Sequence, residues 1–248
     1  MATTIVSVIN QKGGTGKTTT TINLGRALSK LGYKVLLVDL DPQSNLSYSL
    51  DITEPEFTLA DAFTGTKKLK EILVQKDALF FVAPGSPELV DVEISLVTQE
   101  KRESFLKNIL ATVKGYDYIL IDCPPSLSVL TLNALTASHQ VLIPLQMEVL
   151  TMQGLNQILT TVNKVKTTLN PKLQVKGIVI VMYDKRRKLS SEIEAFLKEN
   201  STEKIFDSRI RLNVKLAEAP SFGQSILDYD PSSNGAQDYL ALAKEFAG

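Results

Sequence analysis

The sequence predicts an α/β fold: a mostly parallel twisted sheet flanked by helices on both faces. Three observations carry that expectation. Apolar, β-rich runs alternate with helical periodicity along the 248 residues. The runs are continuous in Val, Ile and Leu, as in parallel strands buried on both faces. A glycine-rich stretch, "NQKGGTGKTTTTINLG" (Asn10–Gly25), joins the first apolar run to the first helical segment, at the sheet edge where such folds bind ligands.

The elements follow in order. "TIVSVI" (Thr4–Ile9) is a buried strand, and Thr18–Leu31 a helix closed by Gly32. "KVLLVDL" (Lys34–Leu40), "ALFFVAP" (Ala78–Pro84) and "YDYILIDCP" (Tyr116–Pro124) are further strands, as are "QVLIPL" (Gln140–Leu145) and "VKGIVIVMY" (Val175–Tyr183). Helical patterns lie near Glu100–Val113, Leu127–Ala137, Thr151–Leu169, Ser190–Lys198 and Gly235–Phe246. There is no repeat, low-complexity tract or Pro/Ser linker, so residues 1–248 read as one domain.

Composition removes several classes of function. Lys+Arg and Asp+Glu are both 27, so bulk charge announces no nucleic-acid partner, while a local basic patch stays possible. The single cysteine, Cys123, removes a disulfide framework and a self-contained cysteine metal site. It reads as a packing residue. The single histidine, His139, makes histidine-based chemistry improbable and reads as a surface or strand-edge residue. Phe80 and Phe81 read as core, and Lys67, Lys68 and Lys70 as a solvated helix face. No signal peptide and no apolar run of about 18 residues is visible, so the expected compartment is the cytoplasm.

Gly13-Gly14-Thr15-Gly16-Lys17-Thr18 completes G-x-x-x-x-G-K-[ST] in the strand-to-helix context that the motif demands. This is the P-loop NTPase arrangement. Glycines let successive backbone N–H groups curl around phosphate oxygens, and the helix N-terminus adds partial positive charge. Lys17 reaches the β- and γ-phosphates, and the Thr18 hydroxyl binds Mg²⁺. Asp39 and Asp41 in "VLLVDLDPQ" and Asp122 in "YILIDCPPS" follow apolar strands, which sets carboxylates on the same sheet edge. A phosphate loop needs only one lysine, yet Lys12 directly precedes Gly13.

Together "KGGTGKTTT", "VLLVDLDPQ" and "IDCPPS" resemble the deviant phosphate-loop ATPases of the ParA/MinD group. "VLIPLQMEVLTMQGLNQIL" and "LAEAPSFGQSILDYDPSSNGAQDYLALAKE" point to its ParA/Soj branch, and the resemblance runs from Thr3 to Glu245. It implies a partition ATPase that uses ATP/ADP and Mg²⁺. Lys12 corresponds to the signature lysine, which reaches across a nucleotide-sandwich homodimer to the partner's phosphates. With Lys17 and Asp41 it forms the catalytic set, Asp41 positioning the attacking water. The nucleotide set is Lys12, Gly13, Gly14, Thr15, Gly16, Lys17, Thr18 and Thr19, with Asp122, Met182, Arg211 and Asn213. The adenine is expected between Met182 and the Asn213 segment. The metal set is Thr18, Asp39, Asp41 and Asp122, with Asp122 behind the first ligands and Asp39 also shaping its loop.

The resemblance also implies non-specific DNA binding as an ATP dimer, a ParB-type centromere-binding partner that stimulates hydrolysis, and nucleoid association. Here the family pattern is thinned. In "IRLNVKLAEAPSFG" the family's proline is replaced and one arginine is shifted, and "YDPSSNG" (Tyr229–Gly235) lacks two arginines that the family carries. The expected DNA contacts therefore fall on Lys185, Arg186, Arg187 and Lys188 of "DKRRK", with Arg209, Arg211 and Lys215 added. Two alternatives keep the same ATPase: positioning a protein cargo on the nucleoid, or a MinD-like membrane-surface switch. The second needs a C-terminal amphipathic helix, and "YLALAKEFAG" reads instead as the end of the domain helix, so no membrane partner is expected.

Overall fold

The computed structural model describes residues 3–148 and 151–248, with side chains except those of residues 188–191, 198 and 200. The strands are β1 (Thr4–Val8), β2 (Val35–Asp39), β3 (Val74–Asp77), β4 (Phe80–Ala83), β5 (Tyr118–Asp122), β6 (Gln140–Gln146), β7 (Gln174–Tyr183) and β8 (Ile205–Arg211). The helices are α1 (Lys17–Lys30), α2 (Asn45–Ser49), α3 (Leu59–Thr64), α4 (Leu69–Ile72), α5 (Leu89–Leu96) and α6 (Phe105–Leu110). Then come α7 (Val129–Ala137), α8 (Thr151–Thr168), α9 (Lys188–Asn200), α10 (Val214–Glu218), α11 (Ile226–Tyr229) and α12 (Asn234–Ala247).

One sheet holds the strands in the order β3-β4-β2-β5-β1-β6-β7-β8. Every pairing is parallel except β3 with β4. Period-two geometry splits each strand between two cores. Leu36 and Val38, Ile119 and Ile121, and Val141 and Ile143 face one core, against α3, α5, α6, α7 and α8. Val35 and Leu37, Leu120 and Leu142 face the other, against α1 and α12. Both faces are covered, which is why these strands carry no polar alternation. Tyr239, Leu242, Ala243 and Phe246 of α12 are buried in the second core, so its apolar face is already covered. No helix among the described residues is long and apolar enough to cross a membrane.

Helix α1 forms where the sequence places it, and tertiary contacts stabilise it. It carries four threonines, yet nearly all of it is buried. Its polar groups find partners: Thr20 Oγ1 lies 3.2 Å from the Tyr239 hydroxyl. The Ile226 N–H donates to Asn23 Oδ1 at 2.7 Å. Arg26 forms a fork with Asp228 at 2.8 and 2.9 Å. Gly25 is where α1 touches the sheet, and a Cβ there would lie 2.6 Å from Leu37 Cδ2. Past its end, Gly32 and Tyr33 N–H groups bond back to Ser29 and Leu28 carbonyls, closing the helix as expected.

Two expectations are corrected. The helical pattern over Glu100–Val113 is a helix only at Phe105–Leu110. Lys101 takes a positive φ of 54°, and Asn133 grips the chain by donating to the Arg102 carbonyl at 2.7 Å and accepting from Leu106 N–H at 3.0 Å. The second is an omission: β8 extends the sheet through "IFDSRIR". Phe206 and Ile210 point inward, while the Asp207 and Ser208 N–H groups bond to Glu245 at 2.9 Å each.

Candidate nucleotide site

The chain leaves β1 and turns through Gly14 and Gly16, whose φ values are 74° and 73°, a region that side chains with a Cβ rarely enter. Gly16 caps α1 without a side-chain bond, and the first turn contains no acidic residue. Its first-turn N–H groups and the positive end of the helix dipole suit an anion at this end. Lys17 is buried, with Nζ donating to the Lys12 carbonyl at 3.3 Å. Burial lowers its pKa, and the charges of Asp122 and Asp41 oppose that shift.

Sheet register sets the carboxylates. Asp39 and Asp122 are direct neighbours at the ends of β2 and β5. Asp122 is fully buried and accepts from the hydroxyls of Thr18 at 2.7 Å and Thr21 at 3.3 Å. Burial first, then the nearby Asp39 charge, pushes it up to about 8. Asp39 is also fully buried and is pushed up to about 6 by burial, against the lowering effect of the Ser47 bonds. Its Oδ2 accepts from the Ser47 N–H at 2.8 Å and hydroxyl at 2.6 Å. Its Oδ1 is buried with no partner. Asp41 lies at the cleft wall, and its Oδ1 accepts from the Gln43 N–H at 3.0 Å.

The loop, α1 and Asp41 enclose a cavity of about 420 Å³ that Gly13, Gly14, Lys17, Thr18 and Thr19 line. A second cavity of about 150 Å³ continues past Gly16, Thr19 and Met182 to Leu212, Asn213 and Tyr239. The structure thus brings Met182, Arg211 and Asn213 to one pocket beside the phosphate loop. Met182 takes a positive φ of 52° there. Asn213 Oδ1 caps α10 by accepting from Lys215 N–H at 2.9 Å. Thr15 is buried, with its hydroxyl donating to the Lys12 carbonyl at 3.1 Å.

The donor set suits a hard divalent ion: a threonine hydroxyl and a cleft-wall carboxylate. No group of three or more His, Cys, Asp or Glu among the described residues forms a cage, so phosphate and water would complete such a shell. The metal expectation narrows at one residue. Asp39 lines neither of these cavities, and its Oδ2 is held by Ser47 of α2.

Lys12 does not line the 420 Å³ cavity. Its ammonium is ion-paired with Glu148, just past the end of β6, and its side chain is 60% exposed. The Lys12 N–H is held by Asn10 Oδ1 at 3.0 Å, and Asn10 donates to the Pro144 carbonyl at 2.7 Å. Glu148 and Ser47 were missed by sequence reasoning. The rule that found Asp122, a carboxylate just after an apolar strand, also finds Glu148.

The basic residues fare differently. Arg209, expected to contact DNA, is only 16% exposed here, pairs with Glu194 at 2.6 Å and bonds to the Phe206 carbonyl. Arg211 forms a fork with Asp238 at 2.6 and 3.0 Å, and Lys215 pairs with Glu218 at 3.0 Å. Arg186 is 83% exposed but forks onto Asp184 at 2.9 and 2.8 Å. Lys185 and Arg187 are exposed. The side chain of Lys188 lies outside the described residues. Cys123 is fully buried, and its thiol pKa is raised by burial. His139 Nδ1 accepts from the Ile5 N–H at 2.9 Å.

Comparison with known proteins agrees with this geometry. The AAA domain family matches residues 3–175. The chromosome partitioning protein ParA of Caulobacter vibrioides is 42% identical over 247 residues, covering 97% of this chain and 92% of that protein. The sporulation initiation inhibitor protein Soj of Bacillus subtilis is 44% identical over 250 residues, covering 98% of each. Among solved structures, a Mycobacterium smegmatis cobyrinic acid a,c-diamide synthase with bound ADP and magnesium superimposes with a TM-score of 0.86 at 34% identity, covering 98% of this chain and 93% of that one. The Pyrococcus horikoshii septum site-determining protein MinD with Mg-ADP gives 0.83 at 28%, covering 98% and 96%. The chain belongs to the ParA/Soj family of partition ATPases.

Proposed function

We propose that this protein is an ATP-driven partition switch: ATP holds two copies in a sandwich dimer, the dimer binds DNA without sequence preference, and a ParB-type partner stimulates hydrolysis and release. The observation that carries the proposal is the contrast in placement between two lysines. Lys17 is buried in its own cleft, while Lys12 lies outside that cleft at the end of an exposed side chain. A cation so placed serves a partner subunit's phosphates better than its own.

In this reading the phosphate-loop N–H groups and Lys17 bind and orient the β- and γ-phosphates. Thr18 and Asp41 would hold Mg²⁺, with Asp122 fixing the Thr18 hydroxyl from behind; solved relatives carry Mg-ADP or an ATP analogue with magnesium. The bound ion would neutralise charge growing on the phosphate oxygens. Asp41, held by the Gln43 N–H, orients the attacking water and accepts its proton. Lys12 supplies charge only on dimerisation, which ties hydrolysis to assembly. The protein would then work on the nucleoid.

The test is DNA binding with ATP, with ADP and without nucleotide, at two salt concentrations. Tight, salt-sensitive binding with ATP alone is expected. Equal binding in all three states would reject the switch.

A further inference from the structure

Residues 35–66 and 77–100 contain no lysine or arginine, although basic and acidic residues are equal at 27 each over the chain. The two segments fold together: the Leu59 N–H donates to the Pro84 carbonyl at 2.8 Å, and the Thr58 and Ser86 hydroxyls are 3.0 Å apart. Helix α5 turns Leu89, Val92 and Leu96 into the core. Its outer side shows Val90, Ile94 and Val97, which are 48, 65 and 57% exposed. Their spacing of four and three places them in one stripe. Glu88, Asp91, Glu93 and Glu100 flank that stripe with no base among them.

The stripe's N-terminal end meets an open cleft of about 640 Å³, lined by Tyr48, Glu54 and Glu88. Gln43 and Asn45 line this cleft too, and they also line the nucleotide cavity. The basic groups bordering the face are occupied or peripheral. Lys67 lies 3.8 Å over the Phe57 ring, Lys76 donates to the Leu50 carbonyl at 2.7 Å, and Arg102 reaches Glu103 and the Val97 carbonyl. Lys101 follows Glu100 on the surface.

We propose that the outer face of α5 and the adjoining cleft dock a cationic, amphipathic segment of a partner protein. Apolar side chains at helical spacing would cover Val90, Ile94 and Val97, and lysines or arginines would meet the acidic rim. Charge decides among occupants. DNA phosphates and anionic lipid headgroups are repelled by this rim, and a second copy of the chain would set acid against acid. A segment filling the cleft would bear on Gln43, whose N–H holds Asp41, and so reach the nucleotide site. That consequence rests on the proposed function; the docking itself does not.

The probe is a fluorescein-labelled synthetic helix of about 18 lysines and leucines, with leucines confined to one face. Its control has the same composition with the leucines scattered. Anisotropy with the full chain should show saturable, salt-sensitive binding of the patterned peptide. The double variant Val90→Ser/Ile94→Ser should weaken it about tenfold or more, as should Asp91→Lys/Glu93→Lys. Basal hydrolysis and thermal melting of the serine variant should match wild type. Equal binding to wild type and variants, preference for the scattered peptide, or no saturable binding would overturn the proposal. So would loss of DNA binding in the serine variant. ATP-independent DNA binding would instead reject the partition switch and leave the peptide result standing.

Discussion

The nucleotide cleft and the basic segment from Tyr183 to Lys215 both concentrate charge, on opposite terms. In the cleft, Lys17, Asp39 and Asp122 are taken out of water and held by neighbours that the sheet register fixes. In the basic segment, Arg186, Arg209, Arg211 and Lys215 each meet an acidic partner. A site made by backbone shape keeps its chemistry once folded. A patch made of long side chains is only as charged as its surroundings leave it, and here the neutralising acids are Asp184 and Glu194 within the segment, Glu218 just past it and Asp238 on α12.

The largest expected effect tests the cleft. Lys12→Ala should retain nucleotide binding, measured by a fluorescent ATP analogue, yet lose about 10³-fold in partner-stimulated hydrolysis, on the scale of in-trans cationic fingers. Normal hydrolysis would return Lys12 to the role of a solvated charge and break the contrast with Lys17.

Next comes a pair of variants that separates exposed from buried arginines. Arg186→Glu/Arg187→Glu should weaken DNA binding about tenfold or more at low salt and leave melting nearly unchanged. Arg209→Ala should do the reverse, costing about 1–3 kcal/mol because Glu194 and the Phe206 carbonyl lose a donor. If Arg209→Ala lowers DNA affinity without loss of stability, the buried pairing is not what governs that residue.

A smaller effect is carried by pH. Burial raises Asp39 to about 6 and Asp122 to about 8, above their ordinary value of 3.8. The folded state therefore holds extra protons, so this stability is fully present below pH 3.8 and is lost as pH rises through 6 and 8. In nucleotide- and metal-free protein, Asp122→Asn should flatten the fall in Tm between pH 6 and 9. An unchanged slope would show that Asp122 titrates normally. The smallest effect belongs to Glu148→Gln. It frees Lys12 from an exposed pair worth about 0–1 kcal/mol, so dimerisation with ATP should strengthen by no more than about fivefold. A larger change would make Glu148 a working part of the site.

Much of this was legible in the chain. Continuous apolar runs marked the central parallel strands, because burial on both faces leaves no room for alternation. The phosphate loop was legible because glycine conformations and helix-terminal N–H groups are local properties of a few consecutive residues. The edge elements were not. β8 has a short, polar-interrupted pattern that becomes a strand only because β7 and Glu245 accept its backbone groups. The Glu100–Phe105 region reads as helix, yet Asn133, some 30 residues away in sequence, takes its hydrogen bonds.

By itself, then, the sequence determined the fold class, the nucleotide loop and which carboxylates sit at strand ends, all consequences of short-range geometry and of the period of the side chains. Only the tertiary structure decided that Asp39 serves Ser47, that Lys12 meets Glu148, that Arg209 turns inward and that α5 leaves an apolar stripe in an acidic frame. Those facts depend on which distant side chain arrives within hydrogen-bond reach, and on which surfaces packing leaves uncovered.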